Sequence, residues 1–350
     1  MGAVDFEVAA PRLFRLDLTV WALRRRPHNG VDQWDGTLWR RVIASEAGPI
    51  VLTASQRGTP TDPRVAVRLE RRGASIQPRS VQELRQTVTR VLGLDVDLSG
   101  FADLTGNDAE LAALAGRFAG MRPPRFASVF EALVNAVACQ QLSLEVGIGL
   151  VNRLAGFLTA APADARSPLA FPTAAQLARA DVGALRALGF SAAKAGTLVT
   201  LGRKVTAGEI DLEALADLDD RSGVERLTAL PGIGRWSAEY TLVRGLGRLH
   251  VLPGDDLGAR NGLRRRFGLA PDAGYGAVST LARRWWPYAG LIYFHLLLDG
   301  SLAGEADLGL SPARRGGASR PRLGQRRDPP AARTWAAPVA RDAAPGIAKG

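Results

Sequence analysis

The sequence predicts a mainly helical protein with a smaller α+β region at its N-terminus. Between about Pro11 and Glu70, apolar and polar residues alternate in short runs that glycine and proline interrupt, a period of two that is typical of antiparallel strands. From about Ser80 to Gly300 the apolar residues recur instead at helical spacing. The chain has 350 residues, which is long enough for two or more domains.

The N-terminal region is predicted to contain strands at residues 14–20, 39–43 and 65–69, where the alternation is clearest. A helix is expected over residues 80–92, with Ser80 as its cap and Gly93 at its end. Further helices are predicted from their apolar periodicity at residues 108–118, 129–158, 174–188, 191–206, 212–216, 223–230, 237–246, 257–267 and 276–298. These segments define an α+β domain at residues 1–105, a helical region at 106–305 and a basic tail at 306–350.

The net charge of +11 favours a polyanionic partner, because basic side chains neutralise phosphates. Residues 311–350 hold nine Lys and Arg against two Asp, and therefore contribute +7 of this charge. The tail is rich in proline, arginine and alanine and has no apolar periodicity, so we expect it to be disordered. A solvated tail and a DNA-tethering tail both fit this composition.

Composition also excludes several classes of protein. No apolar run approaches the roughly 18 residues of a membrane helix, and the first residues do not resemble a secretory signal, so we expect a cytoplasmic protein without a membrane partner. The single cysteine, Cys139, excludes a disulfide framework and a four-thiolate metal site built by this chain alone. His250 and His295 have no partner at metal-ligand spacing, and we expect both to be structural.

One segment departs from ordinary helix packing. A helical stretch runs into Leu-Pro-Gly-Ile-Gly at residues 230–234, and a second helix follows at once with Arg235. Gly232 and Gly234 permit a tight hairpin and leave backbone N–H groups uncovered at the start of the second helix, an arrangement that binds phosphate without reading sequence. Ile233 would anchor the hairpin in the core. A simple turn between helices also explains the two glycines taken alone, but the full pattern favours a DNA-binding helix-hairpin-helix.

A candidate catalytic carboxylate follows the hairpin. The turn Pro-Gly-Asp-Asp at residues 253–256 precedes a helix, and Asp256 stands 22 positions after Gly234. Taken alone, Asp256 is explained as a helix cap. A loop-borne carboxylate after a phosphate-binding hairpin instead indicates chemistry on DNA. Asp255 is the competing candidate, and we expect it to be a cap or a local structural residue.

These features resemble the helix-hairpin-helix (HhH-GPD) DNA glycosylases, and within them the DNA-3-methyladenine glycosylase II type. The resemblance covers about residues 10 to 300. Its matching stretches are LGLD at 92–95, MRPPRF at 121–126, VFEAL at 129–133, QQLS at 140–143, ALGF at 187–190 followed by Lys194, and WPYA at 286–289. It implies a first domain like half of a TATA-binding protein and a two-part helical body with the lesion cleft between the parts.

The resemblance implies that Asp256 stabilises positive charge at the sugar carbon C1′ while a damaged base departs. It also implies that Trp236 and Tyr240, one helical turn apart, line the pocket for a flipped base, although two aromatics at this spacing also suit an ordinary core. Members that nick the DNA strand carry lysine where this chain has Trp236, and an indole cannot form a Schiff base. We therefore expect a monofunctional glycosylase.

The resemblance also assigns a wedge and a cation site. A side chain must fill the space left by a flipped base, and the resemblance places this wedge at Gln141 or Leu142, which could otherwise belong to a polar helix end. The carbonyls of Thr228, Leu230 and Ile233 are expected to hold a monovalent cation, sodium or potassium, as in relatives. No redox or organic cofactor is expected. The expected partner is double-stranded DNA with a damaged base, bound by a monomer.

The expected substrates are alkylated purines of the 3-methyladenine and 7-methylguanine class. Some relatives supply a tryptophan from the last helix where this chain has Leu297, which leaves the lesion preference open. One alternative is therefore the same scaffold acting on deaminated or oxidised bases. Another is a DNA-binding protein that has lost catalysis, against which the intact Asp256 argues.

Overall fold

The computed structural model describes residues 2–45, 48–71, 73, 75–159 and 167–302, which belong to one compact unit. The basic tail predicted at residues 306–350 lies outside these residues. Within the described ranges, no helix is both long enough and apolar enough to cross a bilayer. The boundary at residue 105 and the likeness to half of a TATA-binding protein stay predictions.

An antiparallel sheet forms the N-terminal part of the described chain. Its strands are β1 (Gly2–Ala9), β2 (Gln33–Trp34), β3 (Leu38–Ile43), β4 (Ile50–Thr59) and β5 (Asp62–Arg71), arranged in the order β1-β5-β4-β3-β2. The alternation at residues 39–43 and 65–69 thus correctly predicts β3 and part of β5. Alternate residues of these strands, including Trp39 and Val67, are buried against the helices, as expected for a sheet that packs on one face.

The strand predicted at residues 14–20 is wrong, because this segment begins helix α1 (Leu16–Arg24). Leu16, Val20 and Leu23 pack in the core beneath the sheet, while Leu18 and Ala22 pack in a helical core on the other side. The helix is therefore apolar on two faces. Apolar residues on two faces of a helix produce an alternating pattern, and this pattern imitates a strand.

Helices make up most of the remaining described chain. They are α2 (Pro78–Val91), α3 (Phe101–Gly106), α4 (Ala109–Arg117), α5 (Val129–Cys139), α6 (Leu144–Leu158), α7 (Ala174–Arg179), α8 (Val182–Ala187), α9 (Ala192–Thr206), α10 (Asp220–Thr228), α11 (Arg235–Thr241), α12 (Leu257–Phe267), α13 (Tyr275–Arg283) and α14 (Ala289–Leu302). A 3-10 helix (Glu213–Asp217) precedes α10, and a single π-helical turn (Leu242–Leu246) continues α11.

Several helical predictions need correction at their ends. Ser80 does not cap α2, because the helix begins at Pro78, a residue whose fixed φ and missing N–H suit the first helical position. The single helix predicted at residues 129–158 is two helices, separated by a turn in which Gln141 has a φ of +54°. The predictions at residues 174–188 and 276–298 each cover two helices as well.

The helical body packs into separate apolar clusters. One lies around α5, α6 and α9 and includes Ile233 of the hairpin. Another joins α4, α12 and α14 and includes Ala259 and Leu263, which follow Asp256. The core beneath the sheet extends into the body through Phe126 and Tyr240. The hairpin and the candidate carboxylate therefore rest on different clusters, and the candidate site lies where these clusters meet.

A buried ion cluster joins the sheet to the helical body. Arg41 of β3 donates from Nη1 to Asp32, 3.0 Å away, and from Nη2 to the carboxylate of Glu131 on α5. All three side chains are almost completely buried. Removing one member of such a cluster leaves an uncompensated charge in a medium that solvates it poorly.

We expect Arg41→Met to lower the free energy of unfolding by about 3–5 kcal/mol, because Asp32 and Glu131 would both lose their buried counterion. Urea denaturation followed by circular dichroism measures this change. Arg79→Met on α2 is the matched control, since Arg79 pairs with Glu83 at the surface and is 92% exposed. Equal unfolding midpoints for the two variants would contradict the structural role of Arg41.

Candidate active site and DNA-binding hairpin

The hairpin between α10 and α11 has the geometry that its sequence predicts. Gly232 adopts a φ of +78°, and a Cβ atom there would lie 2.1 Å from Oγ1 of Thr197 on α9, so this position requires glycine. Ile233 is 6% exposed and belongs to the core around α5 and α9. The buried Ile233 fixes the hairpin on the body, while Gly232 and Gly234 on either side of it remain exposed.

The first turn of α11 offers backbone donors to the outside. Gly234 occupies the N-cap position, and among the described residues no side chain caps the helix. The first N–H groups of a helix have no partner within it and attract anions. The guanidinium of Arg235, however, turns toward the carboxylate of Asp255, to which Nη2 donates over 2.8 Å. At the hairpin, Arg235 is therefore positioned to bind an anion through its backbone N–H rather than through its guanidinium.

Asp256 is the N-cap of α12, and its carboxylate connects helices that are distant in sequence. Oδ1 accepts from the backbone N–H of Ala259 at 2.9 Å. Oδ2 accepts from the indole Nε1 of Trp236 on α11 and from the hydroxyl of Tyr293 on α14, each at 3.1 Å. These bonds hold the carboxylate in one orientation at the positive end of the α12 dipole.

Trp236 and Tyr240 form an aromatic wall next to this carboxylate. Their ring centroids lie 5.3 Å apart with a tilt of 35°. Trp236 is half-buried, whereas Tyr240 is 3% exposed and packs into the core beneath the sheet. The hydroxyl of Tyr240 accepts a hydrogen bond of 2.8 Å from Arg25. The structure therefore unites the predicted pocket aromatics with Asp256, and it also places Tyr240 within a core.

Tyr293 is a site residue that the sequence prediction missed. Its side chain is completely buried, and burial together with the nearby charge of Asp256 raises the pKa of its hydroxyl well above the usual value. The phenol therefore stays protonated and donates to Asp256. The sequence signal that could have identified Tyr293 is its place in the last helix. It stands one helical turn before Leu297, the residue that the sequence links to the pocket.

Asp255 and Arg260 fix the loop that carries Asp256. Asp255 accepts from Arg235 on one side and from Arg260 on the other, in both cases over 2.8 Å. Arg260 also donates from Nε to the carbonyl of Gly254 at 2.8 Å. Asp255 is therefore a local structural residue, as the sequence indicates, and it joins the hairpin helix to α12.

A buried carboxylate, also missed by the sequence prediction, holds the loop from below. Glu239 of α11 accepts from the backbone N–H of Gly254 at 3.2 Å and from the hydroxyl of Tyr275 at 2.6 Å. Burial raises the pKa of Glu239. A Cβ atom at Gly254 would lie 2.6 Å from the ring of Tyr275, so the loop passes close to this ring. The position of Asp256 depends on this packing.

Leu297, the residue that the sequence linked to the lesion preference, lies beside the candidate carboxylate. A Cβ atom at Gly258 would be 2.9 Å from Cδ2 of Leu297 and 3.1 Å from Oδ1 of Asp256. Leu297 is partly buried. The side chain of Leu297 therefore occupies the space next to Gly258 and Asp256.

The turn at residues 140–143, called the wedge turn below, lies next to the hairpin. The side-chain amide of Gln140 donates to the carbonyl of Gly232 and to the hydroxyl of Ser237, each at 2.9 Å. Gln141 is exposed, and Leu142 is 42% exposed despite its apolar side chain. The structure thus presents both predicted wedge residues at the surface beside the predicted phosphate site.

The carbonyls of the predicted cation site lie at the end of α10 and in the hairpin that follows it. Thr228 ends α10, so its carbonyl is among the terminal ones that lack an intrahelical partner, while the Leu230 carbonyl accepts from the N–H of Ile233 at 3.1 Å. His295 is buried, which lowers its pKa to about 4, and His250 pairs with Asp220. Among the described residues, no cluster of acidic, His or Cys side chains could bind a metal.

Comparison with known proteins gives consistent matches. A model of the HhH-GPD superfamily of base excision DNA repair proteins matches residues 134–288. The chain is 32% identical to DNA-3-methyladenine glycosylase 1 of Schizosaccharomyces pombe, over 53% of this chain and 76% of that protein. It is 30% identical to DNA-3-methyladenine glycosylase 2 of Escherichia coli, over 57% and 69% respectively. The structure of a 3-methyladenine DNA-glycosylase from Archaeoglobus fulgidus superposes with a TM-score of 0.73 and 26% identity, covering 84% of this chain and 98% of that one.

The hairpin, the helical body and these matches define a DNA repair protein, and the chain belongs to the HhH-GPD superfamily of base excision DNA repair proteins. Within this superfamily it is a base excision DNA glycosylase of the 3-methyladenine type. The resemblance inferred from the sequence is thereby confirmed.

We expect Tyr293→Phe to slow base release by roughly 10- to 100-fold, because it removes one hydrogen bond to a charged carboxylate, worth about 1.5–3 kcal/mol. Single-turnover kinetics on alkylated DNA measure this rate. Tyr288→Phe is the matched control, because Tyr288 directly precedes the same helix and its ring packs on Phe101. Equal rates for the two variants would contradict a role of Tyr293 in holding Asp256.

Proposed function

We propose that the protein is a monofunctional DNA glycosylase that removes alkylated purines from double-stranded DNA and leaves an abasic site. The observation that carries the proposal is the contact between Asp256 and Trp236, which places a fixed carboxylate directly against an aromatic wall. Relatives whose names specify 3-methyladenine support the substrate class.

The proposed mechanism begins with a base rotated out of the helix and stacked on Trp236. Alkylation at a ring nitrogen makes a purine cationic, so the electron-rich face of Trp236 attracts it more than it attracts a normal base, while the buried ring of Tyr240 packs behind the indole. The same positive charge makes the base a good leaving group. A strong general acid is therefore unnecessary, and the site has to stabilise the sugar rather than protonate the base.

Asp256 would supply that stabilisation. As the bond from C1′ to the base nitrogen breaks, its electron pair leaves with the base, and positive charge develops on the sugar. The carboxylate, oriented by Trp236 and Tyr293, faces this charge. Water then adds its oxygen to C1′ and loses one proton to the surroundings, with Asp256 able to orient it. The products are the free base and an abasic sugar.

Two further parts of the proposal rest on Trp236 and on the hairpin: the DNA strand is not cut, and the protein holds a DNA phosphate. The indole has no amine for a Schiff base, so the reaction ends at the abasic site and the DNA strand stays intact. The N–H groups that begin α11 would grip a DNA phosphate. A sodium or potassium ion held by the carbonyls of Thr228, Leu230 and Ile233 would add positive charge there. The protein would act as a monomer and would need no redox or organic cofactor.

The second candidate function is that of a glycosylase with the same fold that acts on a different class of lesion. The observation in its favour is the position of Leu297. The space beside Gly258 and Asp256 is bounded by leucine, so the pocket can differ in shape from that of relatives with tryptophan. Deaminated or oxidised bases would then be released in preference to alkylated purines. A panel of duplexes carrying 3-methyladenine, 7-methylguanine, hypoxanthine, uracil or 8-oxoguanine distinguishes the two candidates.

We expect Asp256→Asn to reduce base release by about 100- to 1000-fold, because the amide cannot stabilise developing positive charge as a carboxylate does. Asparagine caps helices as well as aspartate does, but its amide nitrogen cannot accept from Trp236 and Tyr293, so circular dichroism must show that the variant is folded. The measurement is release of 7-methylguanine from a duplex. Asp255→Asn is the control for the adjacent carboxylate and should lose much less activity. Undiminished release by Asp256→Asn would refute the catalytic role.

We also expect the protein to leave its DNA product uncut until heat or alkali is added, because Trp236 cannot form an imine with the abasic sugar. Borohydride should accordingly trap no covalent complex between protein and DNA. Denaturing gel electrophoresis of an end-labelled duplex, with and without alkali, measures both outcomes. Strand scission at neutral pH, accompanied by a trapped complex, would show that the protein is bifunctional.

A further inference from the structure

Helix α9 contacts both the wedge turn and the hairpin. Lys194, in the first turn of α9, donates from Nζ to the carbonyl of Gln140 at 2.6 Å and to that of Ala138 at 3.2 Å. Both carbonyls lie at the C-terminal end of α5, where a helix leaves its last carbonyls without intrahelical partners. An ammonium group at this end is also attracted by the helix dipole. Lys194 therefore satisfies the backbone just before the wedge residues.

Separate contacts connect the same elements to the hairpin. The side chain of Gln140 donates to Gly232 and Ser237, and Thr197 of α9 donates to the carbonyl of Pro231 at 3.2 Å. Thr197 also lies so close to Gly232 that no Cβ atom would fit between them. The wedge turn, α9 and the hairpin thus form one hydrogen-bonded unit.

The wedge turn holds a conformation that needs such support. Gln141 has a φ of +54°, a left-handed value that costs a residue other than glycine on the order of 1 kcal/mol. Leu142, which follows it, is kept 42% exposed rather than folded back onto the body. A strained backbone residue persists only where the surrounding contacts hold it in place. Lys194 restrains the end that leaves α5.

We propose that Lys194 is a positioning residue that keeps the wedge turn at a fixed distance from the phosphate-binding hairpin. Gripping a phosphate and inserting Gln141 or Leu142 into the duplex then occur as one rigid movement, and the cost of ordering the turn is met before DNA binds. The inference rests on the proposed function. It assigns to Lys194 a role in opening the duplex and none in breaking the glycosidic bond.

The decisive experiment compares Lys194→Met on two substrates that differ only in the need for flipping. One is a duplex with 7-methylguanine opposite cytosine, and the other carries the same lesion in a single-nucleotide bulge, which is already unpaired. We expect the single-turnover rate to fall about 10- to 100-fold on the paired lesion, since a displacement near 1 Å has effects of this size. On the bulged lesion the rate should stay close to that of the unsubstituted protein.

Two variants serve as controls. Lys194→Arg keeps a cation and its donors, and should restore most of the rate on the paired lesion. Lys204 lies on the same helix, and Lys204→Met removes only its surface ion pair with Glu209. This variant should leave both rates unchanged. If Lys194→Met does not fold, as judged by thermal melting, Lys194→Gln replaces it in the same comparison. Equal losses on both substrates, or no loss on either, would overturn the proposal.

A second measurement separates this inference from the proposed function. The fluorescence of 2-aminopurine placed opposite a tetrahydrofuran abasic analogue reports insertion of the wedge without any chemistry. We expect the unsubstituted protein to increase this fluorescence and Lys194→Met to increase it less. If the unsubstituted protein releases no base but the two differ in fluorescence, the proposed function fails and the role of Lys194 stands. If base is released and the fluorescence changes are equal, the role of Lys194 fails.

Discussion

The candidate site depends on one carboxylate that is bonded to several helices. Asp256 caps α12 through Ala259, and it accepts from Trp236 on α11 and Tyr293 on α14. Because α11 continues the hairpin, and α12 and α14 share a core, this carboxylate lies where the hairpin meets the rest of the body. The distance between the hairpin and the candidate carboxylate is therefore set by packing within the protein.

Helix α1, which packs beneath the N-terminal sheet, is joined to the same site by buried arginines. Arg25, at the end of α1, donates to Tyr240 and to Asn135, while Arg244 donates to the carbonyl of Ala22. Arg244 also lies 5.7 Å from the ring centre of Tyr240. Without α1, Tyr240 would lose its hydrogen bond from Arg25, and Arg244 would lose its backbone acceptor at Ala22. The small α+β part is thus a structural element of the pocket as well as a neighbour of it.

The parts of the site that are local in sequence were predictable, and those that depend on distant contacts were not. Two glycines around Ile233 specify the hairpin, and a Pro-Gly turn before Asp256 specifies a cap. Tyr293, by contrast, lies in an apolar helix in which nothing but the fold distinguishes it from its neighbours. Glu239 looks like a surface residue until the loop at Gly254 packs over it.

The fold shows the same division. Alternation predicts strands β3 and β5 correctly because only one of their faces is buried. It predicts a strand wrongly at α1, because this helix is buried on two sides. The break between α5 and α6 depends on a left-handed Gln141, a backbone property that its side chain does not reveal. Periodicity reports how a segment is buried, and it identifies the element only where burial is one-sided.

The double role proposed for Asp256 limits which residues can replace it. The proposed chemistry at the sugar requires a carboxylate, whereas a helix start is satisfied equally well by asparagine or serine. The indole of Trp236 and the hydroxyl of Tyr293 impose a further requirement, because both donate to Oδ2 and Tyr293 is completely buried. A residue that restores the cap but offers no acceptor on that side leaves a buried hydroxyl without a partner. Catalysis, capping and packing therefore tolerate different replacements at this one position.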